Sequence, residues 1–174
     1  MKKIIFLLIF IIVFYIFIAN TMAKTIEIPK DAIRIRIIPN SNEKYDQEIK
    51  TKVKKNLQLE MYQMLKNKTN SNEAKITIKQ NLKKIDENIK QTLKKEKYNK
   101  SHKVNFGYNY FPEKEYKGIK YKEGYYESLL ITLGEGKGDN WWCVLFPPLC
   151  LIEAENTKKT EYKSFVKELI DKYL

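Results

Sequence analysis

Two long stretches with helical periodicity constrain the fold of this chain more than any other feature. Apolar residues recur at steps of three and four from Asp46 to Lys66, and again from Asn72 to Glu96. This spacing places the apolar side chains along one stripe of an amphipathic helix. The first stripe comprises Ile49, Val53, Leu57, Met61, Met64 and Leu65, and the second comprises Ile78, Leu82, Ile85, Ile89 and Leu93. Because a short polar link joins the stretches and the stripes are too short for a coiled coil, we predict a long two-helix hairpin.

Three other segments alternate apolar and polar residues, which predicts strands. They are Ala32–Ile37, with isoleucines on one face and arginines on the other, Val104–Tyr110 and Tyr125–Leu133. Between the last two, the polar stretch Glu113–Glu123 predicts a loop or an edge hairpin. A last apolar stripe predicts a short C-terminal helix from about Thr160 to Tyr173. The fold class is therefore α+β, with a small, mostly antiparallel sheet of about three or more strands packed against the helical hairpin.

The N-terminal segment has the layout of an export signal. Two lysines precede an unbroken apolar run from Ile4 to Ala19, and a cleavage site is predicted after Ala23. The run is shorter than the roughly 20 residues that a helix needs to cross the hydrocarbon core, which favours cleavage over an uncleaved anchor. We expect residues 1–23 to be a signal peptide or an N-terminal membrane anchor, and residues 24–174 to form a single exported domain.

The charge of the chain bears on its partners. A formal net charge of +12 predicts attraction to anionic surfaces such as phospholipid headgroups, wall polymers or an acidic protein. Nucleic acid is the other common partner of basic chains, but the export signal and the lack of a nucleic-acid-binding motif argue against it. Lysines that merely coat helices would give the same charge. A basic exported module that binds cell-wall polymer or an anionic membrane surface is therefore an alternative function.

The densest group of unusual residues runs from Gly134 to Cys150. It holds both tryptophans, both cysteines and three of the six glycines of the chain. Consecutive prolines favour a bend between the cysteines. Outside the cytosol, Cys143 and Cys150 most simply form a disulfide that closes a short loop, with two buried thiols as the alternative. A zinc site is not expected, because it needs four nitrogen or sulfur ligands and the single histidine, His102, is distant in sequence.

The two adjacent tryptophans point to contact with a partner. On a strand, Trp141 and Trp142 would lie on opposite faces, so that one anchors the segment and the other faces outward. Indole rings are frequent hot spots of interfaces, although core packing of both rings is the alternative. Our candidate partner-binding residues are Lys137, Asn140, Trp141, Trp142 and Phe146.

No combination of residues in the sequence predicts catalysis. A cysteine nucleophile needs a base that a third group holds in place, and His102 lies in a polar stretch that predicts a surface turn. The glycines from Gly134 to Gly138 lack the Lys-Ser/Thr pair of a phosphate-binding loop and the third glycine of the dinucleotide fingerprint. A carboxylate pair for hydrolysis of the cell wall does not stand out, but a cell-wall enzyme remains a further alternative. We predict a non-enzyme without a cofactor.

The run from Leu130 to Cys150 resembles the signature of the stage II sporulation protein R family almost letter for letter. Weaker similarity covers Ile35–Ser41, with Pro39 where the family usually has alanine, and middle segments such as Gly124–Leu129. The resemblance spans roughly Ile33 to Ile152.

This resemblance implies a signalling protein. Family members are made in the forespore and exported into the space between the forespore and mother-cell membranes. There they activate a membrane-embedded aspartic protease, which removes the pro-segment of sigma factor E. The resemblance thus implies that the protease is the partner, and we expect the segment from Gly134 to Cys150 to form or support the contact.

Overall fold

The computed structural model describes residues 9–15, 26–28, 30–116, 119–148 and 171 of the chain. No helix within these ranges has the length and apolarity needed to cross a membrane. The elements of the described part are α1 (residues 9–15), β1 (Ile26–Glu27), β2 (Ile33–Ile38), α2 (Lys44–Leu65), α3 (Ser71–Gln80), α4 (Leu82–Lys95), β3 (His102–Phe111), β4 (Lys114–Tyr116), β5 (Ile119–Tyr121), β6 (Gly124–Leu133) and β7 (Trp141–Phe146).

The central sheet has four strands in the order β3-β6-β2-β7. Strand β6 pairs antiparallel with β3 over ten residues and parallel with β2, whereas β2 pairs antiparallel with β7. A second, three-stranded sheet has the order β1-β5-β4, in which the predicted edge hairpin supplies β4 and β5. The fold class is therefore α+β, and the central sheet is mixed because β2 and β6 run parallel.

The core lies between the helices and one face of the central sheet. The apolar stripe of α2 is buried as predicted except for Met64, which is half-buried, and the isoleucines of β2 pack against it together with alternate residues of β6. Alternation explains this arrangement, since one face of each strand supplies the core. The core residues of the sheet are Ile33, Ile35, Ile37, Leu129, Ile131 and Leu133.

The second predicted helix is divided in two at Asn81, so the simple two-helix hairpin is not confirmed. Asn81 has φ −104° and ψ 10°, outside the helical range, and its side-chain amide donates to the Thr77 carbonyl at 2.8 Å. Asparagine side chains compete in this way with the backbone bonds of a helix. The chain thus bends between α3 and α4, and α4 is the helix that packs most extensively against α2. Apart from Asp171, the predicted C-terminal helix lies outside the described residues.

The other face of β2 differs from the expected half-buried strand. Arg34 is only 1% exposed, and no described group accepts a hydrogen bond from its guanidinium. The guanidinium instead stacks on Tyr126, 3.4 Å from the ring centroid, with the Phe111 ring at 5.2 Å. Burial lowers the pKa of Arg34 below its ordinary value. The interaction of the cation with the aromatic rings offsets part of the cost of burial.

Candidate functional site

The glycine turn (residues 134–139) docks on the asparagine turn (residues 39–42) that follows β2. Four backbone amides of the glycine turn donate to the asparagine turn. The bonds run from Glu135 to Asn40 Oδ1 (3.0 Å), from Lys137 to the Asn40 carbonyl (3.1 Å), from Gly138 to the Pro39 carbonyl (3.1 Å) and from Asp139 to Asn42 Oδ1 (2.6 Å). These four amides therefore bond within the protein.

Close approach of the two turns explains why glycine is needed here. A Cβ atom on Gly138 would lie 2.2 Å from the Ser41 carbonyl oxygen, and one on Gly134 would lie 2.3 Å from Asn40 Oδ1. Gly134 also has a φ of +57°, which side chains disfavour. The glycines thus serve packing between segments that are almost a hundred residues apart in sequence.

Asp46 holds the asparagine turn in place through hydrogen bonds. Its carboxylate is 1% exposed and accepts hydrogen bonds from Ser41 Oγ at 2.6 Å, Asn40 Nδ2 at 2.8 Å and Lys100 Nζ at 3.3 Å. Burial alone would raise the pKa of Asp46, but these hydrogen bonds and the Lys100 charge lower it below its ordinary value. This role of Asp46 was not predicted from the sequence. The available signal was an Asn-Ser pair shortly before an acid in the first turn of a helix.

An open cleft beside the glycine turn does not offer an uncompensated charge. Its lining includes Lys100, which pairs with Asp46, and Lys137, whose ammonium lies 2.7 Å from the Glu135 carboxylate. No cluster of three or more metal-ligating side chains occurs in the part of the chain that the structure describes. The arrangement is that of a rigid turn.

Strand β7 places the two tryptophans on opposite faces of the central sheet, as alternation predicts. Trp141 is half-buried against the core on the helical side, and Lys54 Nζ lies 4.8 Å from the centroid of its ring. Trp142 is half-buried on the other face. Its neighbours there are the rings of Phe111 (5.4 Å between centroids) and Tyr121 (6.2 Å), together with Lys114 Nζ (5.2 Å from its ring centroid).

The other candidate residues differ in exposure. Lys137 is on the surface, whereas Phe146 is 0% exposed and belongs to the core, so it has no surface to offer a partner. The side chain of Asn140, with its amide oriented to satisfy its neighbours, accepts from Arg36 Nη2 at 2.6 Å and Nε at 3.0 Å. Arg36 is thus a further part of the site that the sequence analysis missed. Cys143 is half-buried, and Cys150 lies outside the described ranges, so the disulfide remains a prediction.

Comparison with known proteins identifies the family. The profile of the family described as Stage II sporulation protein R matches residues 29–156. The chain is also similar to Stage II sporulation protein R of Bacillus subtilis (strain 168), with 41% identity over 150 residues, which cover 84% of this chain and 67% of that protein. No solved structure matches significantly. The chain therefore belongs to the stage II sporulation protein R family, which implies a role in sporulation.

Proposed function

We propose that this protein is an exported signal from the forespore to the mother cell that activates the membrane-embedded aspartic protease processing pro-sigma factor E. The observation that carries the proposal is the signature from Leu130 to Cys150 within a family match over most of the chain. In this proposal, residues 1–23 direct export or anchor the protein. Residues 24–174 form the signalling domain in the space between the two membranes.

A binding role without catalysis fits the placement of the reactive side chains. His102, predicted in a surface turn, is the first residue of β3, and its Nε2 atom lies 2.9 Å from Asp86 Oδ1. Cys143 is on β7, at the opposite edge of the four-stranded sheet. Three strand spacings of about 4.8 Å separate these edges, far beyond the hydrogen-bond reach of a catalytic pair.

The glycine turn and the start of β7 supply a preorganised surface for the protease. Lys137 is exposed, while Asn140 and Trp142 keep part of their surface accessible. Trp141 and Phe146 hold the strand from the core side. A disulfide between Cys143 and Cys150 would fix the end of the segment. Preorganisation of this kind lowers the entropic cost of binding.

The net charge of +12 favours a second candidate function, binding to an anionic membrane or wall polymer. Such binding would weaken steeply with salt, because exposed charges are screened. Sedimentation with anionic vesicles and with wall fragments at two salt concentrations measures this activity separately from protease activation.

The test of the proposed function is co-expression of this chain with the protease and the sigma factor precursor. We expect processing with the wild-type chain and none without it. Trp142→Ala and Lys137→Glu should reduce processing, whereas Tyr62→Ala, at an exposed position on α2, should not. Thermal unfolding confirms that each variant is folded. Processing that proceeds equally without the chain would contradict the proposal.

A further inference from the structure

Among the described residues, strand β3 leaves one edge of the central sheet open. It pairs with β6 over its whole length without a bulge, and no other described strand pairs with it. A long, regular edge strand presents unpaired backbone groups that another chain can extend. This edge is therefore a candidate docking surface.

The register shows which backbone groups point outward. The Gly134 amide donates to the Ser101 carbonyl at 2.7 Å, so this pair, which continues the register just before β3, is hydrogen-bonded. Antiparallel pairs alternate between bonded and non-bonded positions. Asn105 and Gly107 therefore bond to β6, whereas Val104, Phe106 and Tyr108 direct their N–H and C=O groups away from the sheet. Further along, Arg36 Nη1 donates to the Tyr110 carbonyl at 3.3 Å, which limits the open stretch at that end.

Three exposed tyrosines adjoin the open stretch. Tyr108 is 69% exposed, Tyr110 46% and Tyr125 71%. Tyr110 and Tyr125 are cross-strand partners whose rings meet edge to face, 5.6 Å apart. Exposed tyrosines present a large apolar surface with a polar tip and are enriched in interfaces.

The charges beside the edge favour an acidic occupant. Lys103 is exposed on β3, and Lys79 of α3 lies above Phe106, with its ammonium 5.8 Å from the ring centroid. Neither ammonium forms an ion pair with a described residue, whereas Lys75 is neutralised by Glu127 at 2.7 Å. A second copy of the chain would bring the same lysines to this edge, and two chains that each carry a formal net charge of +12 repel each other, which opposes self-pairing.

We propose that β3 binds an extended, acidic segment of a partner protein as an additional strand of the central sheet. The outward groups of Val104, Phe106 and Tyr108 supply the backbone hydrogen bonds, and the tyrosines and lysines select the side chains of the segment. The inference deepens the proposed function, on which the identity of the partner as the protease rests. The extended form of the segment follows from the open edge of β3, and its acidic chemistry follows from Lys103 and Lys79.

The first experiment tests this chemistry without the protease. A ten-residue peptide that alternates glutamate and valine is titrated into the purified full chain, with a lysine–valine peptide as the control. We expect the acidic peptide to bind and to shift the amide NMR signals of Val104, Phe106 and Tyr108, and the lysine peptide to bind at least tenfold more weakly. Equal binding of both peptides, or no binding of the acidic one, would overturn the inference.

Matched variants identify the edge itself. Tyr108→Ala removes only the ring, whereas Tyr108→Pro also removes an outward N–H without breaking the bonds to β6. We expect proline to weaken peptide binding well beyond alanine. Lys103→Glu should weaken it roughly fivefold, since an exposed ion pair has about this effect. Lys55→Glu, an equal charge change on the exposed face of α2, should not. Equal effects of proline and alanine would contradict strand addition.

The second experiment uses cells in which the sigma factor precursor is processed. A photo-crosslinking phenylalanine derivative replaces Tyr108 or, as the control, Tyr62. We expect crosslinks to the protease from position 108 alone. Normal processing without such crosslinks, or crosslinks between copies of this chain, would overturn the inference and leave the proposed function standing. Failure of processing with the wild-type chain would instead reject the proposed function, and the peptide titration would still decide the chemistry of the edge.

Discussion

The glycine turn with β7 and the open strand β3 lie at opposite edges of the central sheet. Their residues differ in whether they bond within the protein or face outward. The first region holds the signature of the family, yet four of its amides bond to the asparagine turn and Phe146 is buried. The second region has few distinctive residues, yet it carries exposed tyrosines and backbone groups that no described strand pairs with. The difference teaches that a dense signature can serve an internal junction as well as a surface, whereas an open sheet edge can be built from ordinary residues.

The largest expected difference in unfolding free energy is between alanine substitutions at one glycine of each region. Gly138→Ala places a Cβ 2.2 Å from the Ser41 carbonyl and forces the turns apart, so we expect a loss of roughly 3 kcal/mol in unfolding free energy. Gly107→Ala on β3 is the control, because its Cβ would only meet Asn105 Nδ2 at 3.9 Å. That variant should change stability by less than about 0.5 kcal/mol. Urea denaturation measures the unfolding free energy of both variants. Similar losses would contradict the difference between the two regions.

Truncation of Trp142 has the next largest expected effect. Trp142→Ala removes a ring that packs on Phe111 and Tyr121, so we expect a loss of roughly 2 kcal/mol in unfolding free energy. Thermal and urea unfolding check this value. A stability equal to that of the wild type would show that the ring serves the surface only.

The buried carboxylate of the junction should make stability depend on pH. The folded-state pKa of Asp46 lies below its ordinary value of 3.8, so the unfolded chain binds the proton more readily. Stability is then full above this value and falls as the pH drops through the folded-state pKa. Asp46→Asn should cost about 1–3 kcal/mol at neutral pH and reduce the loss in acid. Denaturation at a series of pH values tests this, and an unchanged acid dependence in the variant would contradict it.

The smallest expected effect on stability belongs to the open edge. Tyr108 is exposed, so Tyr108→Ala should change the unfolding free energy by less than about 0.5 kcal/mol, although it weakens binding at β3. The same urea denaturation serves as the measurement. A loss comparable to that of Trp142→Ala would show that the tyrosine belongs to the core.

Local hydrophobic patterns in the sequence predicted much of the fold. The stripe of α2 and the alternation in β2, β3 and β6 predicted these elements within two residues of their observed ends. The division at Asn81 was missed, because Ile78, Leu82 and Ile85 continue the apolar period across it. The burial of Arg34 was missed for a different reason. It depends on Phe111 and Tyr126, which only the tertiary fold brings to β2.

The candidate site was predictable only in part. The sequence shows that the glycines and tryptophans are unusual and that neighbours on a strand alternate. It does not show that Asn40 accepts from the amide of Glu135, since that bond depends on the parallel pairing of β2 with β6. Nor does alternation distinguish an edge strand such as β3 from a central one. The contrast between junction and docking edge therefore emerges only from the sheet order.

Amide hydrogen exchange on the full chain tests the contrast between the two regions most directly. We predict slow exchange for Glu135, Lys137, Gly138 and Asp139, whose amides are bonded to the asparagine turn. On β3, exchange should alternate, with Asn105 and Gly107 slow and Val104, Phe106 and Tyr108 fast. Fast exchange throughout the glycine turn, together with uniform protection along β3, would contradict the account.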